Sequence, residues 1–188
     1  ALTHAVEAYI GHSNVKSTTR YAEKATKMIF DNIETAYKDG KNIEARDKML
    51  WASYYAGMAF TRAYVGYVHA VAHSLGGAYN IPHGLANSII LPVVLEQFGK
   101  SAHKKLAFLA DYVHLTDKNE SNEVKAKAFI QAIKDFNAYF NIPEKIEMKE
   151  EDIPVLAKRA DKEGNPLYPV PRLMNAKELE QIYYLVKK

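Results

Sequence analysis

The best candidate for a buried β-strand in this chain, Ser88-Ile-Ile-Leu-Pro-Val-Val-Leu, carries Pro92 at its centre. Proline cannot donate to a strand ladder, which argues against a central strand, whereas a buried helix accepts the residue with a kink. Elsewhere the apolar residues recur at helical spacing. Leu2, Val6, Tyr9 and Ile10 share one face, and Ala22, Ala25, Ile29, Ile33 and Ala36 share another, closed by Asp39-Gly40 where a helix-terminating glycine belongs. The polar run HSNVKSTT separates these two. From Ile43 to Phe60 apolar residues fall on more than one side, which predicts a central helix buried between others. Three more amphipathic segments follow, at Ser101 to Val113, at Phe129 to Phe140, and at Ile153 to Ala160 with Gly164-Asn165-Pro166 as its stop. Asn175 with Glu178 three residues on has capping-box chemistry and opens a last helix. The expectation is an all-α helical bundle forming one domain over residues 1–188, with the proline-rich Gly164–Arg172 as an internal loop.

Composition narrows the chemistry. Apolar residues make up 48% and charged residues 25% of the 188, the balance of a folded globular chain. The net charge of +3 is spread along the chain, so no nucleic-acid partner is expected. There is no cysteine, which removes disulfides, thiolate nucleophiles and cysteine-held metals. Any metal must be held by histidine and carboxylate. The least charged run, Ala63 to Pro92, contains three histidines and two prolines, so it does not read as a bilayer span and no membrane partner is expected. With no signal segment visible, a cytoplasmic location is expected. The first helical pattern begins without an initiator Met or an N-capping residue, so the expectation is that residues precede Ala1 in the parent protein.

Within that uncharged run, His69 and His73 stand four residues apart, one turn along a single helix face. His83 follows ten residues later, beyond Gly76-Gly77 and Asn80-Ile81-Pro82, which predict the turn that brings the chain back. Pro82 sits where a new helix can begin, and the positive end of that helix would keep the His83 imidazole neutral, the ligand form. His4 lies on the first helix, and spacing alone does not place it with the others. A metal centre needs three or four donors at ~2.0–2.2 Å, which His4, His69 and His83 could begin to supply. His73, facing the same cavity, could move a proton or hydrogen-bond substrate. His12, His103 and His114 read as half-exposed or satisfied histidines. Tyr54, Tyr55, Tyr64, Tyr67 and Tyr79 read as core or pocket wall, and Gly76 and Gly77 as sites of close helix packing.

These residues carry a resemblance. Ala1-Leu-Thr-His4-Ala-Val-Glu-Ala-Tyr is similar to the D-A-L-x-H-A-x-E-A-Y segment of the iron-containing, group III alcohol dehydrogenases. Gly66 to Pro92 resembles that family's G-x-x-H-x-x-x-H-x-x-G…P-H-G-x-A-N…L-P signature, and the likeness continues through Pro169-Val-Pro-Arg172 to the last helix. It implies an all-helical C-terminal domain closing on an N-terminal dinucleotide-binding half that these residues do not contain. It implies a metal held by one Asp and three His, the histidines by position being His4, His69 and His83. The Asp would fall immediately before Ala1. His73 would be the non-ligand histidine beside nicotinamide and substrate. The implied cofactors are Fe²⁺ or Zn²⁺ and NAD or NADP, the latter bound mainly by the N-terminal half. The implied reaction is hydride transfer between a small primary alcohol and its aldehyde, assisted by the ion as Lewis acid. The chain alone is then expected to be inactive, and a homo-oligomer is compatible with it.

Three other readings stand beside this one. A glycerol dehydrogenase or dehydroquinate synthase relative differs by substrate. A histidine-only metallohydrolase would need a carboxylate base, and none lies between Asp47 and Glu96. A non-catalytic helical metal-binding module would keep the histidines for structure.

Overall fold

Helical periodicity becomes nine α-helices in the computed structural model, which describes residues 1–188. They are α1 (Leu2–Ile10), α2 (Lys16–Lys38), α3 (Ile43–Ala63), α4 (Tyr67–Tyr79), α5 (His83–Phe98), α6 (Lys100–Tyr112), α7 (Asn122–Tyr139), α8 (Ile153–Gly164) and α9 (Ala176–Val186). The only ladder-type pairing is a single bridge between Ile146 and Lys187. The all-α expectation therefore holds, and no helix is long and apolar enough to cross a membrane.

Local chemistry sets several of the boundaries. The Asn42 side chain accepts from the Ala45 amide at 3.0 Å to open α3. The reciprocal Asn175–Glu178 box opens α9, at 3.0 and 3.1 Å. α2 begins earlier than its apolar periodicity suggests, because the Thr18 hydroxyl accepts from the Val15 amide at 2.8 Å and draws half of the polar run into helix. Gly76 and Gly77 lie inside α4 and make no turn. The chain reverses at Asn80, whose left-handed backbone (φ 52, ψ 35) lets its amide reach the Gly76 carbonyl at 2.9 Å. Nor does close packing explain the pair: a Cβ at Gly77 would meet nothing within 4 Å, and one at Gly76 only the Ile81 carbonyl at 3.5 Å.

Pro92 sits buried inside α5, so the run around it is helix and not strand. Its missing amide would have served the Ser88 carbonyl, and that carbonyl instead accepts from the Asn137 side chain of α7 at 2.7 Å. A neighbouring helix thus supplies the donor that proline withholds.

The central helix is α1, not α3. Seven of its residues, from Thr3 and Ala5 to Ile10, are buried, and it packs against α2, α3, α5 and α6. α3 buries only the stripe Ala45, Ala52, Ala56, Ala59 and Ala63, while Ile43 and Leu50 are 74% and 70% exposed. The small stripe lets α2 and α3 lie close as a hairpin, and the large apolar residues point outward. Tyr54 shares that outward face and is neither core nor pocket wall. An apolar residue without a position in the fold says little about burial. Ala56→Leu is therefore expected to overpack the hairpin and cost ~1–3 kcal/mol, whereas Leu50→Ser should stay within ~0.5 kcal/mol of the parent. Urea midpoints of the two variants check this directly.

Candidate metal centre

α1, α4 and α5 each bring one histidine to a common point. His4 projects from the first turn of α1 and stacks on Phe60 of α3, ring centroids 4.1 Å apart. His69 lies on α4, with its centroid 4.4 Å from that of His4 and 5.3 Å from that of His83. His83 is the first residue of α5, delivered by the tight Asn80–Pro82 connection. One ring nitrogen from each of His4, His69 and His83 lies within 4.8 Å of the others. Donors bound to one ion at ~2.0–2.2 Å stand ~3.4 Å apart at tetrahedral angles, so a small contraction would close the triad.

His69 is the anchor. It is buried, and its Nδ1 donates to Oε2 of Glu7 at 2.5 Å, while Oε1 of the same carboxylate accepts from the Val68 amide at 2.8 Å. The carboxylate holds the Nδ1–H tautomer and leaves a lone pair at Nε2. That Nε2 is buried with no hydrogen-bond partner. A buried acceptor without a donor is costly, and a cation held with His4 and His83 would satisfy it. Glu7 approaches the chain so closely that a Cβ at residue 66 would sit 2.8 Å from its Oε1, which is why Gly66 precedes α4.

The electrostatics favour neutral imidazoles. Burial, followed by charge on His69, lowers the pKa of His4 to about 3. Burial, followed by His69 and His73, lowers His83 also. Neutral imidazole is the form that ligates. Asn87, buried one turn beyond His83, donates to the His83 carbonyl at 3.0 Å and lies 3.0 Å from its Nε2.

His73 stands beside the triad without joining it. Its ring centroid is 5.2 Å from that of His83, and its Nδ1 lies 2.7 Å from Oε1 of Glu163 on α8. Two hollows meet at the histidines. One, of about 390 Å³, runs between α1, α2, α5 and α7 past Ile29, Ile33, Leu91 and Phe136. The other, of about 430 Å³, opens beside Phe60, Tyr64, Val65, His73 and Tyr168.

Tyr64 is thus a wall residue, and Tyr67 is core, its hydroxyl donating to Asn165 at 2.6 Å. His12 and His114 are exposed and His103 is half-buried, away from the triad. Glu7, Asn87 and Glu163 were not singled out from sequence. Glu7 carried two signals, its place three residues after His4 on the same helix and its place in the H-A-x-E-A-Y segment, and Asn87 stood in the P-H-G-x-A-N motif. Glu163 carried none, being 90 residues from His73. The absence of carboxylates between Asp47 and Glu96 is accordingly no guide to the site, since two reach it from elsewhere. Both are engaged with histidines, so neither stands free as a base for hydrolysis.

Residues 1–186 match the model of the Fe-containing alcohol dehydrogenase family, C-terminal. The chain is 40% identical over 186 residues to 1,3-propanediol dehydrogenase of Citrobacter freundii, covering 97% of this chain and 48% of that protein. It is 34% identical to the NAD-dependent methanol dehydrogenase of Bacillus methanolicus, covering 97% and 48%. The structure of an alcohol dehydrogenase from Oenococcus oeni superposes with a TM-score of 0.93 at 32% identity, over 98% of this chain and 49% of that one. The chain spans about half the length of these relatives.

Proposed function

The chain belongs to the Fe-containing alcohol dehydrogenase family, and on that premise we propose that it is the metal-binding, substrate-side part of an NAD(P)-dependent alcohol dehydrogenase acting on small primary alcohols and aldehydes. The observation that carries this reading is the buried, partnerless Nε2 of His69, aligned with His4 and His83. Three imidazole donors fit Fe²⁺ and Zn²⁺ alike. His4, His69 and His83 would hold the ion, and the family's aspartate, in sequence preceding Ala1, would complete the set.

A bound ion supplies Lewis acidity toward an alcohol or carbonyl oxygen, and NAD or NADP exchanges hydride with the neighbouring carbon. The chain's own residues do the positioning. Glu7 fixes the His69 ring so that its lone pair faces the centre. The apolar walls around Ile33 and Phe136 suit an alkyl chain. His73, at the open side and clear of the triad, orients the substrate hydroxyl and passes its proton toward solvent. The rest of the parent protein would bring the dinucleotide.

The test is turnover. The 188-residue chain mixed with NAD⁺ or NADP⁺ and 1-propanol, 1-butanol or 1,3-propanediol should yield no reduced cofactor. A longer protein containing it should do so, lose the activity to a chelator, and regain it with Fe²⁺ or Zn²⁺. Chelator-resistant turnover, or robust turnover by the chain alone, would overturn the proposal.

A further inference from the structure

Like His69, His73 has a carboxylate partner on a separate helix. Its Nδ1 lies 2.7 Å from Oε1 of Glu163, near the end of α8. The same Oε1 accepts from the Tyr168 hydroxyl at 2.8 Å. Tyr168 is half-buried and lines the open hollow with His73. A carboxylate oxygen has two lone pairs, and here each takes one donor. The phenol fills one; burial, then the Glu163 carboxylate, keeps that phenol well above its ordinary range, so it stays a donor. The other lone pair then faces Nδ1 as a pure acceptor, and Nδ1 must carry the hydrogen.

We infer that Glu163 is the positioning residue for His73, its carboxylate holding the ring as the Nδ1–H tautomer and leaving the Nε2 lone pair to the hollow shared with His83 and Tyr168. The inference deepens the dehydrogenase reading and rests on it for one point only, that the group Nε2 meets is a substrate hydroxyl. An imidazole with a free Nε2 lone pair accepts a hydrogen bond from an alcohol. The opposite tautomer would present a donor to that hydroxyl and could accept nothing from it. Glu163 also fixes rotation, because α8 packs along α4 and the Gly164 that ends it is pressed against the Tyr67 ring. A Cβ at residue 164 would stand 2.9 Å from that ring. The carboxylate is therefore placed by two packed helices and not by a loose loop. Its side chain is 33% exposed, against 43% for that of His73, so the pair sits at the rim where substrate and solvent meet.

The tautomer is read directly by two-dimensional ¹⁵N–¹H correlation of the histidine-labelled 188-residue chain at about pH 8, above the ordinary imidazole range, with His73→Asn assigning the signals by their loss. The expected result is a pyrrole-type Nδ1 and a pyridine-type Nε2 at His73. Glu163→Ala should exchange the two, giving the Nε2–H form that histidine favours in water, while His69 keeps its own pattern. Glu163→Gln, which still offers an Oε1 to both donors, should restore the parent spectrum, an outcome a merely structural role would not produce. A His73 that is Nε2–H in the parent chain overturns the inference whether or not any variant folds. So does a Glu163→Ala spectrum unchanged at His73. In the longer protein, Glu163→Ala should lower kcat by ~10²-fold, the low end of what a positioned proton-transfer group contributes, with the KM for the nicotinamide unchanged. Failure of metal-dependent turnover would overturn the dehydrogenase reading and leave the tautomer result standing. A wrong tautomer with turnover intact would do the reverse.

Discussion

His69→Ala is expected to abolish metal binding by this chain, and His83→Ala to do the same, while His73→Asn leaves it in place. Calorimetric titration with Zn²⁺ and with Fe²⁺ reads all three, with binding near one equivalent in the parent. Each of the two ligand variants removes one donor of three, so the loss should exceed the ~10–100-fold that follows removal of an outer-shell partner. The two are complementary controls. His69 is buried, so its loss leaves a cavity and an unpaired Glu7, and the fold itself weakens. His83 is exposed at the start of α5, so its loss should leave the melting transition of the metal-free chain almost unmoved. A thermal-shift series adds a second readout, because a ligand at 100 times its Kd stabilises the folded state by ~2.7 kcal/mol. That increment should appear in the parent and in His73→Asn and vanish in both ligand variants. Unchanged affinity in His83→Ala would remove the triad as the centre.

Glu7 separates stability from ligation. Glu7→Ala strands two buried donors, the Val68 amide and Nδ1 of His69. At ~1–3 kcal/mol for each, the expected cost is about 2–6 kcal/mol, a large part of the stability of a small domain. Glu7→Gln is more informative. Its carbonyl oxygen can still accept from Val68, but its amide group then faces Nδ1 as a donor. The imidazole can satisfy that donor only by moving its own hydrogen to Nε2, the nitrogen that faces His4 and His83. Stability should fall less than in Glu7→Ala, yet metal affinity should drop by ~10–100-fold. Denaturant titration and calorimetry on both variants check the split. Equal affinity in Glu7→Gln and the parent would mean that the carboxylate does not set the His69 tautomer.

These carboxylates mark the boundary of what could be read ahead of the structure. Periodicity placed the helices because the 3.6-residue repeat is written into which residues can be apolar, and Pro92 excluded the strand that the run around it otherwise suggested. The His69–His73 pair at four residues and the sharp return to His83 were legible for the same reason: a helix converts spacing into direction. Periodicity failed for α3, where apolar residues occur on two faces and only packing decides which is covered. An alanine stripe beats a leucine for a close helix contact, and the sequence does not rank them.

The sequence by itself determined that the chain is helical, that no cysteine chemistry is available, and that three histidines are brought near one another by a helix and a turn. It also carried the motifs by which the family resemblance was drawn. The resemblance implied His4, His69 and His83 as the ligands with His73 beside them, but only the tertiary structure brought a nitrogen from each of the three within 4.8 Å of the others. It decided, too, that Glu7 and Glu163 each fix one ring. Those relations cross 62 and 90 residues of chain. They depend on how α1 threads the bundle and how α8 lies along α4. Such distances are set by the shape of the packed core, which no local spacing encodes.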